Sequence, residues 1–165
     1  MLLIMQVLTV RKKKANVFFD YGSNKNFVKE SFAKESGFKG RKEDLNVTTL
    51  GNVVTDIQVM AYQCTLRDVD GNMEVFEAYG MESITGALTQ ISESQIRELF
   101  PHLSGKSIKQ LLRGETVDFL IGMCHASWHP ERLEQAPGDG DLWIYGGKYG
   151  KCLGGRLPGV KETTR

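Results

Sequence analysis

The sequence has little of three features that would each suggest a class of function. It has only three cysteines, Cys64, Cys124 and Cys152, an odd and widely spaced set that does not fit a disulfide framework. Their scarcity favours a reducing, cytoplasmic compartment. Charge of one sign is lacking as well, since 21 basic residues face 20 acidic ones and the net charge is +1. No whole-chain field therefore indicates binding to a nucleic acid or another polyanion.

Long apolar runs are also missing. The apolar N-terminal stretch covers residues 1–10, and the basic sequence RKKK follows it at 11–14. A membrane span needs about 20 apolar residues, and a secretory signal carries its charges before the apolar stretch. We therefore expect a strand over residues 2–10 that ends in a basic turn. Neither a membrane nor a nucleic acid is expected among the partners.

Glycine, by contrast, is abundant. It contributes 18 of the 165 residues, above the usual frequency of about 7%, and this favours a strand-rich, loop-rich fold over a helix bundle. The hydrophobic content of 41% is too high for a disordered chain. The length suits one domain, which at this size buries roughly 70% of the surface of its unfolded chain.

Strand-length apolar runs outnumber helical windows along the chain. They predict a mostly β fold: a small closed barrel of short strands with one or two short helices, followed by a β-rich C-terminal extension. The single domain over 1–165 should have its core at about 1–135 and the extension at about 136–160. The expected strands lie at 2–10, 15–19, 45–66 with an interruption at Gly51-Asn52, 73–80 and 117–121, with further short strands in 137–159. Helical spacing or composition marks 24–36 with Gly37 as its stop, 92–100 with Ser92 as its cap, 106–113 and 123–135.

The candidate chemistry centres on Asp20. It directly follows the sequence VFF of a buried strand, where a carboxylate is costly unless it is hydrogen-bonded or used. Gly22 allows a tight turn, and Ser23 adds a small hydroxyl. Far along the chain, Leu120-Ile121-Gly122 repeats the apolar-apolar-glycine pattern before a helical segment. Each motif alone is typical of a turn at the end of a strand, and the pair in this order is more specific.

This pair of motifs resembles the two signature sequences of retropepsin-like aspartic proteases. The chain as a whole is similar to the protease domain of Pao/BEL-type retrotransposon polyproteins, and its C-terminal part is the piece that ordinary retropepsins lack. The similar stretches run in the expected order over most of the chain. They are VFFDYGSNKNFVKE at 17–30, TTLG at 48–51, FPHLSG at 100–105, VDFLIGMCH at 117–125 and DLWIYGGKYGKCLGGRLPG at 141–159.

The resemblance implies an aspartic endopeptidase that processes its own polyprotein with an activated water. Such chemistry needs two carboxylates that share one proton, but the chain has one suitable aspartate-x-glycine motif. Asp139-Gly140-Asp141 has the wrong spacing, and Asp70-Gly71 predicts a hairpin turn. The resemblance therefore implies a homodimer with one Asp20 from each subunit at the two-fold axis. It implies a peptide or polyprotein substrate, no cofactor and no metal.

The same resemblance assigns roles around the aspartate. Asp20, Gly22 and Ser23 are expected to be catalytic: Gly22 would bring backbone N–H groups to the carboxylate, and Ser23 would hydrogen-bond nearby. Gly122 would let its strand pass close behind the catalytic loop, so Asp20 and Gly122 should lie side by side in a groove.

A flap that closes over the substrate is expected at about 46–56. The hairpin at 68–72 is a second candidate for this flap. The residues expected to contact the substrate or form the flap are Tyr21, Thr49, Leu50, Gly51, Asn52, Ile121 and Gly122.

Tyr21 departs from the family pattern, in which threonine or serine usually follows the aspartate and its hydroxyl braces the two loops across the dimer. A phenol is too long to copy that bond. We expect the ring to fold against its own subunit, which leaves room for two carboxylates to meet. The alternative is a catalytically inactive module of retropepsin fold that serves dimerisation or peptide binding.

Two weaker patterns suggest metals. His125 and His129 would share one face of a helix, with Cys124 beside them, as in some zinc sites, but Pro130 would disturb that helix. The DVDGN sequence at 68–72 suggests calcium, but it has its glycine in the wrong position for an EF-hand loop. Packing and turn formation are the simpler interpretations of both.

Overall fold

The computed structural model describes residues 3–9, 11–48, 51–85, 93–103, 108 and 116–156. Strands account for 52% of the described residues and helices for few, so the prediction of a mostly β fold is confirmed. The helices are α1 (Glu30–Glu35), α2 (Glu93–Leu99) and a 3₁₀ helix (Met123–Trp128). The strands are β1 (Ile4–Leu8), β2 (Lys14–Phe19), β3 (Phe27–Lys29), β4 (Lys39–Thr48), β5 (Val54–Arg67), β6 (Met73–Met81), β7 (Phe119–Ile121), β8 (Glu131–Gln135), β9 (Asp141–Gly147) and β10 (Gly150–Arg156).

The larger sheet forms a ring. Its strand order within the described residues is β1-β2-β7-β3-β6-β5-β4, and a further pairing of Leu8 with Arg67 joins β1 back to β5. Six strands therefore follow one another around the ring, and β4 extends beyond it as the outer strand of the β4–β5 hairpin. The predicted interruption at Gly51-Asn52 is the turn of this hairpin, and the predicted turn at Asp70-Gly71 joins β5 to β6.

The core of the ring explains why the last three residues of β2, VFF, and all three residues of β7, FLI, are apolar. Val17 and Phe19 of β2 and Phe119 and Ile121 of β7 are each at most 1% exposed. The two strands are parallel neighbours, with Val17 opposite Phe119 and Phe19 opposite Ile121. Apolar runs without alternation are typical of strands that are covered on both faces. The two predicted signature strands thus lie side by side at the centre of the molecule.

The predicted helix over 24–36 is wrong in its first half. Phe27 and Val28 belong to β3, which lies between β6 and β7 in the ring, and only Glu30–Glu35 is helical. In a short segment, apolar residues at this spacing fit a helix or a strand equally well. Here the segment is a strand because it pairs with β6 on one side and β7 on the other. Gly37 follows the helix with a φ of 72°, as expected of a C-terminal stop.

The predicted helical segment 123–135 is also wrong in its second half. The 3₁₀ helix ends at Trp128, and Glu131–Gln135 forms strand β8. His129 is extended because a residue before proline avoids the helical region, and Pro130 has no N–H for a helical hydrogen bond. The helix predicted at 92–100 corresponds to α2, whereas its cap Ser92 and most of 106–113 lie outside the described residues.

The C-terminal extension forms a second sheet of order β10-β9-β8. The short strands predicted in 137–159 correspond to β9 and β10 of this sheet. The sheet begins at Glu131 rather than at about 136, because β8 belongs to it. Tyr149, in the turn between β9 and β10, and Cys152 of β10 are buried in one cluster with Leu3 and Met5 of the N-terminal segment. The extension is therefore packed onto the ring by a shared core.

Candidate active site at the ends of strands β2 and β7

Asp20 and Gly122 lie side by side, as predicted. Asp20 follows the last residue of β2 and Gly122 the last residue of β7, and these two last residues, Phe19 and Ile121, are paired in parallel. The Asp20 backbone N–H donates to the Ile121 carbonyl at 3.0 Å. Because parallel strands end at the same edge of a sheet, the two motifs form one loop cluster.

The Asp20 carboxylate is held by its own loop. Its Oδ1 accepts a hydrogen bond from the Gly22 N–H at 2.9 Å, which is the arrangement of an Asx turn. The residue is partly exposed, so the carboxylate is fixed in direction and still reachable from solvent. The expectation that Gly22 brings an N–H group to the carboxylate is confirmed.

Ser23 shapes the loop without touching the carboxylate. Its hydroxyl donates to the Lys25 carbonyl at 2.9 Å and accepts from the Lys25 N–H at 3.3 Å. Its own carbonyl accepts from the Met123 N–H at 2.7 Å, across to the loop that follows β7. Ser23 is thus a hydrogen-bonded link between the two loops, and its expected catalytic role stays a prediction.

Gly122 has no room for a side chain. A Cβ atom at this position would lie 2.5 Å from the Lys25 carbonyl oxygen, 2.7 Å from the Ser23 carbonyl oxygen and 2.9 Å from the Lys25 nitrogen. Its φ of −91° is open to any residue, so space and not backbone conformation requires glycine. This confirms that the end of β7 passes directly behind the loop of residues 20–26, which we call the aspartate loop.

Asn26 is a site residue that the sequence did not reveal. Its side chain is buried; Oδ1 accepts from the Gly122 N–H at 3.0 Å and from the Cys124 thiol at 3.2 Å, and Nδ2 donates to the Glu77 carbonyl at 3.3 Å. The amide therefore fixes the Gly122 loop against β6. An asparagine beside two apolar residues carries no signal of this role, because its partners are distant in sequence.

Tyr21 turns toward its own chain, as expected. Its hydroxyl donates to the Pro130 carbonyl at 2.8 Å, and its ring centroid lies 4.8 Å from that of His129. The residue is 52% exposed, and partial burial raises the pKa of the phenol. The side chain is therefore directed at the start of β8.

His129 is the second site residue that sequence reasoning placed elsewhere. Its Nε2 lies 2.8 Å from the Gly122 carbonyl oxygen, and since a carbonyl only accepts, Nε2 carries a proton and donates. Its Nδ1 is buried without a hydrogen-bond partner among the described residues. The ring packs edge-on against Phe19, with 5.5 Å between centroids. His129 thus connects the core, the Gly122 loop and Tyr21.

The segment 46–56, which is expected to form the flap, lies in the β4–β5 hairpin. Its pairing runs out to Thr48 opposite Val54, and Gly51 and Asn52 lie in the turn with φ of 91° and 60°. Both are exposed, whereas Thr49 and Leu50 lie outside the described residues. Ile121, which was expected beside the substrate, is fully buried, and its side chain packs in the core of the ring.

The suggested zinc ligands do not converge. His129 donates to a carbonyl, Cys124 donates to Asn26, and the His125 ring stacks on Trp128 with 3.8 Å between centroids. Burial lowers the pKa of His125. Within the part of the chain that the structure describes, no three histidine, cysteine or acidic side chains are grouped as metal ligands would be. The residues of this pattern serve packing and hydrogen bonding.

Comparisons with known proteins add no relative: no family model, curated protein or solved structure matches the chain. Among the described residues, no helix has the length and apolar character needed to cross a membrane. The three cysteines are free.

Proposed function

We propose that the chain is a retropepsin-like aspartic endopeptidase whose active site contains two Asp20 carboxylates, one from each subunit of a homodimer. The observation that carries the proposal is the loop cluster in which Asp20 after β2 lies against Gly122 after β7. The close approach of Gly122 to residues 23–25 accounts for glycine in the second motif on steric grounds alone. This arrangement of the two motifs is the one that the resemblance implies, and it supports the proposal.

The surrounding architecture supports the same proposal. The ring-like sheet of β1, β2, β7, β3, β6 and β5 and the exposed β4–β5 hairpin are compatible with the barrel and flap that the resemblance implies. The other aspartate-glycine pairs of the described residues lie in connections, Asp70-Gly71 between β5 and β6 and Asp139-Gly140 between β8 and β9. One suitable aspartate per chain requires a second copy to complete the site.

In the proposed reaction, one Asp20 carboxylate removes a proton from a water molecule while the water oxygen bonds to the carbonyl carbon of the peptide bond. The protonated partner carboxyl donates to the carbonyl oxygen. The C–N bond of the resulting intermediate then breaks as a proton passes to the leaving nitrogen. The fixed direction of the carboxylate, set by the Gly22 N–H, supports this role because a positioned base needs no reorganisation.

The deciding variant is Asp20→Asn, which keeps the size of the side chain and removes its charge. We expect it to abolish cleavage of a peptide library by the purified protein and to leave the thermal unfolding midpoint nearly unchanged. The matched control is Asp70→Asn, since Asn-Gly forms the same hairpin turn as Asp-Gly. This hairpin is bonded to the β9–β10 turn through the Val69 N–H and the Lys148 carbonyl at 3.0 Å, so we assign the flap to the β4–β5 hairpin and expect no role for Asp70 in cleavage. Cleavage by the wild type should fall on dilution below the dimer dissociation constant and follow a bell-shaped pH profile with a mildly acidic optimum. Equal cleavage by Asp20→Asn and wild type would assign the chemistry to other residues.

The second candidate is a non-catalytic module of the same fold for dimerisation or peptide binding. The half-exposed Tyr21 ring beside Asp20 favours it, because an aromatic surface next to the two-fold axis would suit peptide contact without chemistry. A wild-type dimer that binds peptides and cleaves none, with cleavage appearing in Tyr21→Thr, would establish this alternative.

A further inference from the structure

Two adjacent residues at the start of the C-terminal extension, His129 and Pro130, contact both loops of the proposed active site. The Pro130 carbonyl accepts from the Tyr21 hydroxyl at 2.8 Å, and His129 Nε2 donates to the Gly122 carbonyl at 2.8 Å. Tyr21 belongs to the aspartate loop, and Gly122 begins the Gly122 loop, which follows β7. We call His129–Pro130 the strap, because it is joined by one hydrogen bond to each loop.

The strap is itself firmly held. Pro130 is fully buried and His129 is 7% exposed. The His129 ring packs on Phe19, the last residue of β2. On the other side, a Cβ atom on Gly147 of β9 would lie only 3.3 Å from the Pro130 Cα. The strap is therefore packed between the end of β2 and the end of β9, and it provides a fixed point for the two loops.

The Tyr21 hydroxyl is what orients this side chain. The residue is 52% exposed, so contact with the core holds the ring only in part. Tyr21 lies between Asp20 and Gly22, and the Gly22 N–H donates to the Asp20 carboxylate. A shift of the Tyr21 backbone therefore changes the hydrogen bond that directs the carboxylate.

We propose that Tyr21 is a positioning residue that anchors the aspartate loop to the strap and thereby holds the Asp20 carboxylate in its reactive direction. This inference rests on the proposed protease function. It gives the C-terminal extension a part in catalysis, since the strap leads directly into β8. It also assigns the bracing of the aspartate loop to a contact within one chain.

The test compares Tyr21→Phe with the matched control Tyr79→Phe. The first variant removes only the hydroxyl that bonds to Pro130. The second removes a hydroxyl that has no hydrogen-bond partner among the described residues, from a ring that packs against Phe27. We expect Tyr21→Phe to lower kcat about three- to tenfold, the effect of one lost hydrogen bond, with KM changed by less than about twofold.

A second readout does not depend on cleavage. Loss of the anchor should speed amide hydrogen exchange at Gly22 by about threefold or more, measured by NMR, because its hydrogen bond to the Asp20 carboxylate loosens. Tyr79→Phe should leave kcat and this exchange rate at the wild-type values.

Wild-type kcat and wild-type Gly22 exchange in Tyr21→Phe would overturn the inference while leaving the protease intact, as would a change in KM alone. If the wild type cleaves no peptide, the proposed function fails on its own. The exchange rate at Gly22 then decides whether the strap anchors the loop: faster exchange supports the anchor, and unchanged exchange refutes it.

Discussion

Replacing Gly122 by alanine adds one methyl group at the most crowded point of the proposed active site. The φ of −91° accepts alanine without backbone strain, so the added carbon acts only through its contacts. It would lie 2.5, 2.7 and 2.9 Å from three backbone atoms of Ser23 and Lys25. Backbone atoms cannot rotate away as a side chain can, and the aspartate loop or the end of β7 must therefore move.

The magnitude follows from two opposing contributions. Overpacking of this kind costs about 1–3 kcal/mol, and three backbone contacts place Gly122→Ala at the upper end. Alanine also restricts the unfolded chain, which returns about 0.4–1 kcal/mol. We expect a net loss of about 2 kcal/mol in the free energy of unfolding, or roughly 4–8 °C in Tm for a domain of this size. Cleavage should fall further than stability does, since the displaced loop carries Asp20.

Urea denaturation followed by circular dichroism measures the stability, and peptide cleavage measures the function. Gly71→Ala is the control, because it lies in open space with a φ of 82°. Its cost is backbone strain alone, about 1–2 kcal/mol, with full activity for the folded protein. A Gly122→Ala protein with the wild-type denaturation midpoint and wild-type cleavage would refute the close approach of the two loops.

Two further outcomes are expected. Asn26→Asp keeps an acceptor for Gly122 but loses the donor and buries a charge, so it should lower the free energy of unfolding by about 1–3 kcal/mol in urea denaturation; an unchanged midpoint would mean that the amide is dispensable. Burial opposes ionisation of Asp68, but hydrogen bonds from the Asn72 and Asp70 backbone and the charge of Lys148 outweigh it and lower the pKa of this carboxyl. The ionised carboxylate therefore stabilises the fold above the unfolded pKa of 3.8, and this stabilisation is lost as pH falls. The Tm of Asp68→Asn should therefore fall less than that of the wild type between about pH 5 and pH 2. An equal fall of Tm in the two proteins would contradict this.

The sequence was informative wherever local pattern and buried environment agree. VFF before Asp20 and FLI before Gly122 are apolar without interruption, which is what two central parallel strands need, and the glycine of the second motif predicted a close approach. The hairpin turns at Gly51-Asn52 and Asp70-Gly71 were predictable because positive φ requires such residues.

Other features depend on partners that are distant in sequence. The pattern of Phe27 and Val28 fits a helix as well as a strand, and only the position between β6 and β7 makes it β3. The role of Asn26 arises from a hydrogen bond to Gly122, which is 96 residues away. His129 bonds to Gly122 from only seven residues away, but its place in the site also depends on its contact with the distant Phe19. No periodicity reports such a bond, because it is set by tertiary packing after the strands have paired.

The most direct test of the shared active site is a mixing experiment with wild-type protein at a fixed concentration well above the dimer dissociation constant. Asp20→Asn protein is added and subunits are allowed to exchange. If each site needs Asp20 from both subunits, an equal amount of the variant lowers wild-type cleavage to about one half, and a threefold excess lowers it to about one quarter, because wild-type subunits are withdrawn into inactive mixed dimers. Cleavage that stays constant across the same titration, with mixed dimers shown to form, would contradict a catalytic site built from two Asp20 carboxylates.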